Sequence, residues 1–173
     1  MARTIILGYD GSECAKEALD AAVDSAQCSP GSRIVVVNGH AVHKMWGGGS
    51  ASDGMFGHAD SRQAREGGSS TSPDSTELES LKRHAQANIQ PLLDEASARI
   101  TAAGVPVEVT LEWDTPVAAL LDVAEKQKAD LIVVGTHGAD SIGHAIGRVI
   151  LGSTPTRLVH LSRIPVLVVP KPD

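Results

Sequence analysis

Aromatic side chains are nearly absent. Only Tyr9, Trp46, Phe56 and Trp113 occur among 173 residues, about 2% of the chain. The core must therefore be built from Val, Ile, Leu and Ala. Cysteine is almost as scarce. Cys14 and Cys28 sit in or beside one predicted helix, with no metal-like spacing. They fit reduced thiols in a cytoplasmic protein. No apolar run approaches the ~20 residues needed to span a bilayer, which excludes a membrane-crossing helix. The opening run Thr4–Gly8 is too short for a signal peptide and reads as a first strand. Positive charge is also in deficit. The net charge is −6, which argues against general nucleic-acid binding. No Gly-x-x-x-x-Gly-Lys-(Ser/Thr) arrangement occurs anywhere, so a Walker-type phosphate loop is excluded.

What is present is ordinary in amount and informative in order. Hydrophobic residues make up 42% and charged residues 21%, as in globular proteins generally. The length favours one domain, residues 1–173, large enough to bury roughly 70% of its unfolded surface without staples. The charge is unevenly spread. Residues 1–138 hold 11 Lys/Arg against 19 Asp/Glu, whereas residues 139–173 hold four against two. The last segment is locally basic, which suits a small anionic ligand; a solvated surface would look the same.

Apolar runs and helical spacing alternate along the chain. Thr4–Gly8 is a strand, followed by Asp10-Gly11-Ser12-Glu13. Asp10 with Glu13 three residues later resembles a capping box. Ala15, Ala18, Leu19, Ala22, Val23 and Ala26 then share one helical face. Ile34–Val37 is a continuous buried strand. Gly39–Ser75 is Gly- and Ser-rich and keeps no period. It reads as a flexible insertion, or as a contact arm built on Met45, Trp46, Met55 and Phe56. The helical period resumes through Leu78, Leu81, Ala85, Ile89, Leu92, Leu93, Ala96 and Ile100, and Pro91 predicts a kink or break near Ile89. Val107, Val109, Leu111 and Trp113 alternate as a half-covered strand. Thr115-Pro116 starts another helix. Leu131–Val134 is a fourth strand, a helix follows Gly152, and Val166–Val169 is a fifth strand.

Alternating strands and helices with fully apolar strands predict an α/β fold. The expected architecture is one doubly wound, five-stranded parallel sheet with helices on both faces. Ligands in such sheets bind at the carboxyl ends of the strands, where strand order reverses. Asp10, Asn38-Gly39, Gly135–Gly138 and the turn at Gly152 can share that edge. Glycine turns there let backbone N–H groups approach an anion, and a helix N-terminus favours negative charge. Several residues carry a second, plainer reading. Asp10 is a cation or ribose ligand, or a helix cap. Ser153 and Thr154 are phosphate ligands, or a cap. His40, His43 and His58 share no ligand spacing. Cys14 reads as a buried packing residue.

Asp10-Gly11-Ser12 after the first strand, Asp130–Gly138, Gly152-Ser153 and Ile164–Val169 resemble the universal stress protein family in its ATP-binding form. The resemblance covers almost the whole chain except Gly39–Ser75. It implies an adenine nucleotide alpha hydrolase-like fold and a stress-response or regulatory role. ATP or a related adenine nucleotide, with Mg²⁺, is the implied cofactor, and turnover is at most slow. By resemblance, Gly135, His137 and Gly138 bear on ribose and phosphates. Gly152, Ser153 and Thr154 hold phosphates through backbone N–H and hydroxyl groups. Asp10 lies near adenine and ribose or helps with a metal ion, and Gly8, Gly39 and Val134 fall where relatives touch the base. The family also implies a homodimer paired through the last strand, Val166–Val169. Two departures stand out. Thirteen residues separate Gly138 from Gly152 where the family pattern has nine, a four-residue insertion, and Asp114 stands where a family glycine is common. The competing expectation is a protein-interaction module of the same fold that binds no nucleotide.

Overall fold

A computed structural model describes residues 1–41, 75–138 and 151–171. Nine elements follow in the order β1 (Thr4–Gly8), α1 (Glu13–Gln27), β2 (Arg33–Gly39), α2 (Ser75–Ala102), β3 (Val107–Glu112), α3 (Pro116–Lys126), β4 (Leu131–Gly135), α4 (Ser153–Leu161) and β5 (Val166–Val169). The five strands form one sheet in the order β3-β2-β1-β4-β5, and every neighbouring pair is parallel. The doubly wound architecture expected from the sequence is thus present. Most of the Gly39–Ser75 segment, with Met45, Trp46, Met55, Phe56, His43 and His58, lies outside the described residues.

The period-two alternation of a strand sorts its side chains between two cores. Ile5, Leu7, Ile34, Val36 and Val133 face α1 and α2. Ile6, Val35, Val37, Ile132 and Val134 face α3 and α4. Central strands buried on both sides need apolar residues at every position, which is why Ile5, Ile6 and Leu7 are all fully buried. The outer strands do not. In β3, Glu108 and Val109 are exposed, and in β5 Leu167 is 40% exposed.

Helix ends follow local chemistry, with two departures from the sequence reading. Ser12, not Asp10, caps α1: its Oγ accepts from the Ala15 amide at 3.2 Å. Gly11, at φ +79°, turns the chain so that Ser12 occupies the cap position, and Asp10 Oδ1 instead accepts from the Ser12 amide at 3.0 Å. Pro91 does not end α2, which runs 28 residues through it. The residues on either side, Ile89 and Leu93, are buried on one face, while Pro91 and Ala87 are exposed. Water therefore takes the carbonyl that the missing N–H would have bonded. Thr115 caps α3 with Pro116 in its first turn, as the sequence indicates.

Strand order reverses between β1 and β4. The chain moves outward from β1 through β2 to β3, then returns to the other side of β1 for β4 and β5. That reversal opens a crevice at the carboxyl ends of β1 and β4, the position where open α/β sheets take ligands.

Candidate functional site

Two turns meet at this crevice. The loop after β4 and the first turn of α4 are joined by a hydrogen bond from the Gly152 amide to the Thr136 carbonyl, 2.8 Å long. Thr136 in turn donates its own amide to Val169 of β5 at 2.9 Å, and its hydroxyl lies 3.6 Å from the Cys14 sulfur. Ser12 closes the arrangement from the β1 side, donating its hydroxyl to the His137 carbonyl at 3.4 Å. Three loops from distant parts of the sequence are therefore tied together, with thirteen residues between Gly138 and Gly152.

The inner part of the cleft lies between the ends of β1, β2 and β4 and the start of α3. Its floor is apolar, with Gly8, Val37, Leu120 and Val134 beneath Pro116. A wider outer part continues from it past Asp10, Asn38 and Gly138 to Gly152, Ser153 and Thr154, with Ile89 and Leu92 of α2 forming a wall. All ten residues singled out from the sequence, Gly8, Asp10, Gly39, Val134, Gly135, His137, Gly138, Gly152, Ser153 and Thr154, line one or both parts.

Their local reasons differ. Gly135 is required by packing: a Cβ there would stand 2.6 Å from the Cys14 Cβ and 2.7 Å from its carbonyl carbon. The glycine lets α1 press onto the end of β4. Gly138 instead makes room for a functional group, because a Cβ would meet Asp10 Oδ2 at 2.7 Å. The Asp10 carboxylate is thus held between the Ser12 amide and the Gly138 turn. At α4, the Gly152 amide is already engaged by Thr136, and no side chain caps the helix. Pro155 has no N–H to offer. The first-turn donors without an intrahelical acceptor are the Ser153 and Thr154 amides, beside two hydroxyls. An opening of this kind, with apolar depth and a rim of main-chain donors, suits a ligand with one flat apolar end and one anionic end.

No group of three or more His, Cys, Asp and Glu residues able to hold a metal occurs among the described residues. Asp10 alone supplies one carboxylate, so a cation there would draw its remaining oxygen ligands from an anionic ligand and water. Cys14 is buried and Cys28 exposed, both as free thiols. No described helix is long and apolar enough to cross a membrane.

Sequence reasoning missed several lining residues. Tyr9, Ala15, Pro116, Leu120, Ile89 and Leu92 enter the cleft through the crossover geometry, which no local pattern carries. Asn38 could be placed at the sheet edge but not given a role. It donates from Nδ2 to the Tyr9 carbonyl at 2.8 Å. His40 packs edge-on against Trp113, with ring centroids 6.2 Å apart, and the Lys82 ammonium lies 5.9 Å from the Trp113 ring.

Comparison with known proteins agrees with this architecture. The chain belongs to the universal stress protein family, whose family model matches residues 1–170. It is 32% identical over 170 residues to a universal stress protein of Thermus aquaticus, encoded in the 3′ region of a QAH/OAS sulfhydrylase, covering 98% of this chain and 99% of that one. Among solved structures it resembles the protein MJ0577 with a TM-score of 0.74 at 16% identity, covering 100% of this chain and 99% of that one. It also resembles a universal stress protein crystallised in complex with cAMP, with a TM-score of 0.62 at 24% identity over 99% of this chain and 98% of that one.

Proposed function

We propose that this protein binds an adenine nucleotide, ATP or a close relative, in the cleft at the carboxyl ends of β1 and β4, and acts as a stress-response regulator rather than a rapid catalyst. The observation that carries the reading is the junction of the Gly135–Gly138 turn with the first turn of α4 over an apolar floor. The base lies in the apolar depth between Gly8, Gly39 and Val134. The ribose sits by Asp10, Gly135, His137 and Gly138, and the phosphates meet Gly152, Ser153 and Thr154. A structural relative was crystallised with cAMP, itself an adenine nucleotide, which supports an adenine nucleotide as the ligand class. Asp10 is the residue that would hold Mg²⁺, and the ion would offset the negative charge of the phosphates. Several main-chain donors and a cation are enough for micromolar affinity, about −8 kcal/mol.

Slow or absent turnover is supported by the lack of a Walker lysine in the sequence. We also assign the outer edge of β5 to a homodimer contact. Among the described residues this strand has a single strand neighbour, β4, and Leu167, Val159 and Leu161 are exposed on β5 and α4. Such an apolar edge needs cover. Free thiols at Cys14 and Cys28 are in keeping with a reducing, cytoplasmic setting.

The test has two steps. Protein purified under native conditions is denatured and the released small molecules are identified by mass spectrometry; ATP, AMP and cyclic AMP are then titrated by calorimetry. Release of an adenine nucleotide, or saturable heat with one of the three, is the expected result. No nucleotide released and no heat from any of them overturns the reading in favour of a protein-interaction module. Phosphate release under Mg²⁺ is expected to stay near the buffer rate.

A further inference from the structure

Strands β1 and β2 run side by side until Gly8 pairs with Val37, and one further main-chain bond follows, from the Tyr9 amide to the Val37 carbonyl at 3.0 Å. In a parallel ladder the next bond would run from the Gly39 amide to the Tyr9 carbonyl. The Asn38 side chain takes that place, donating from Nδ2 to the Tyr9 carbonyl at 2.8 Å. Only the amide nitrogen of Asn can donate to a carbonyl, so the orientation of the Asn38 amide is fixed by its partner. The β1–β2 ladder ends at this point, and Tyr9, Asp10, Asn38 and Gly39 here line one side of the cleft. Asp10 is the very next residue, and its carboxylate is wedged between the Ser12 amide and the Gly138 turn.

We propose that Asn38 is a positioning residue of the cleft: by holding the Tyr9–Asp10 peptide where β1 leaves the sheet, it sets the Asp10 carboxylate for the bound ligand. This rests on the nucleotide reading above and assigns a task to a side chain outside the residues named for it. A main-chain donor at the same place would continue the ladder and draw the Tyr9–Asp10 peptide toward β2. A side-chain donor keeps the Tyr9 carbonyl satisfied where the ladder ends. Asn38 also lines both parts of the cleft, so direct contact with the ligand is the alternative that a cycle with Asp10 separates from positioning.

A double-mutant cycle on nucleotide affinity tests the assignment, using the full chain and the nucleotide that wild-type protein binds best among ATP, AMP and cyclic AMP. Asn38→Leu and Asn38→Asp each remove the donor, the second with almost no change of size. Each is expected to weaken binding about threefold to tenfold. In an Asp10→Asn background, Asn38→Leu is expected to change affinity about twofold or less, because its effect passes through Asp10. Unchanged affinity in both Asn38 variants overturns the proposal, as does a lowered melting temperature with affinity intact, which would assign Asn38 to the fold alone. Multiplying effects of the Asn38 and Asp10 substitutions overturn it too, by showing independent action. Should Asn38→Leu fail to fold, Asn38→Asp carries the cycle. Wild-type protein that binds none of the three nucleotides overturns the nucleotide reading and this one with it; wild-type binding with indifferent Asn38 variants overturns this one alone.

Discussion

The Gly152 amide and the Thr136 carbonyl lie 2.8 Å apart, and through this one bond the start of α4 is fastened to the loop after β4. A Cβ on Gly152 would stand 3.0 Å from that same oxygen, so the bond and the absence of a side chain go together. Gly152→Val is expected to push α4 away from the β4 loop and to weaken nucleotide binding more than about tenfold. The helix loses a tolerated cap residue for a poor one, at a stability cost of about 1 kcal/mol. Calorimetric titration beside urea denaturation separates the two effects. Retained affinity would show that the first turn of α4 does not hold the ligand.

Gly135→Ala should act on the fold first. Its Cβ would fall 2.6–2.8 Å from Cys14 main-chain and Cβ atoms, which belong to a helix and cannot swing aside. A loss of about 3 kcal/mol is expected from overpacking of this kind, read as a lower urea midpoint with an unchanged slope. A full-stability variant would mean that α1 shifts freely over β4.

Tyr9 gives a pH dependence with a definite sign. Burial, and next the Glu95 carboxylate, push its phenol above the usual tyrosine range near 10. The unfolded chain then loses the proton at a lower pH than the folded one, so the contribution is complete below pH 10 and is lost as pH rises through the folded value. Tyr9→Phe should flatten that alkaline loss of stability. Since the Tyr9 hydroxyl is buried with no hydrogen-bond partner among the described residues, the substitution should cost little or nothing at neutral pH. As the only tyrosine, Tyr9 can be followed directly by its ultraviolet titration. A midpoint at the free tyrosine value would contradict the burial argument.

Leu167→Lys probes the edge of β5. Leu167 is 40% exposed, and lysine on an edge strand discourages strand-to-strand association. Sedimentation should show wild-type protein at the mass of two chains and the variant shifted toward one. A wild-type monomer, or an unaffected dimer, would move the contact away from β5.

Much of the fold could be read directly from the sequence because β1, β2 and β4 are apolar at every core position, and glycine or proline punctuates nearly every turn. Ile34–Val37 and Leu131–Val134 leave little choice but doubly covered parallel strands. Finer assignments failed where a three-dimensional turn decided them. Asp10 and Ser12 are both good caps in isolation; the left-handed Gly11 between them determines which one reaches the helix. Pro91 breaks a helix by local rules, yet exposure of its outer face leaves the packed face intact.

The site was legible in its glycines and not in its walls. Gly-Thr-His-Gly and Gly-Ser mark themselves by composition. Ile89 and Leu92 look like any other helical core positions and join the cleft only because α2 stands beside it. Asn38 carries no local signature either. Its importance comes from the end of the β1–β2 ladder, an event between segments rather than within one. The engaged amide of Gly152 is likewise invisible in one dimension, since its acceptor lies beyond the thirteen-residue connection.

The reversal of strand order has a bearing on biosynthesis. β1 is synthesised well before β4, its partner on one side: the Thr4 amide bonds to the Asp130 carboxylate, 126 positions later. Closing so long a loop makes this pairing a late event. A ribosome-bound chain that has completed β1, α1 and β2 still lacks one bank of the crevice. On the proposed function, only a chain folded through β4 can hold the nucleotide, and truncated or stalled chains would not bind it.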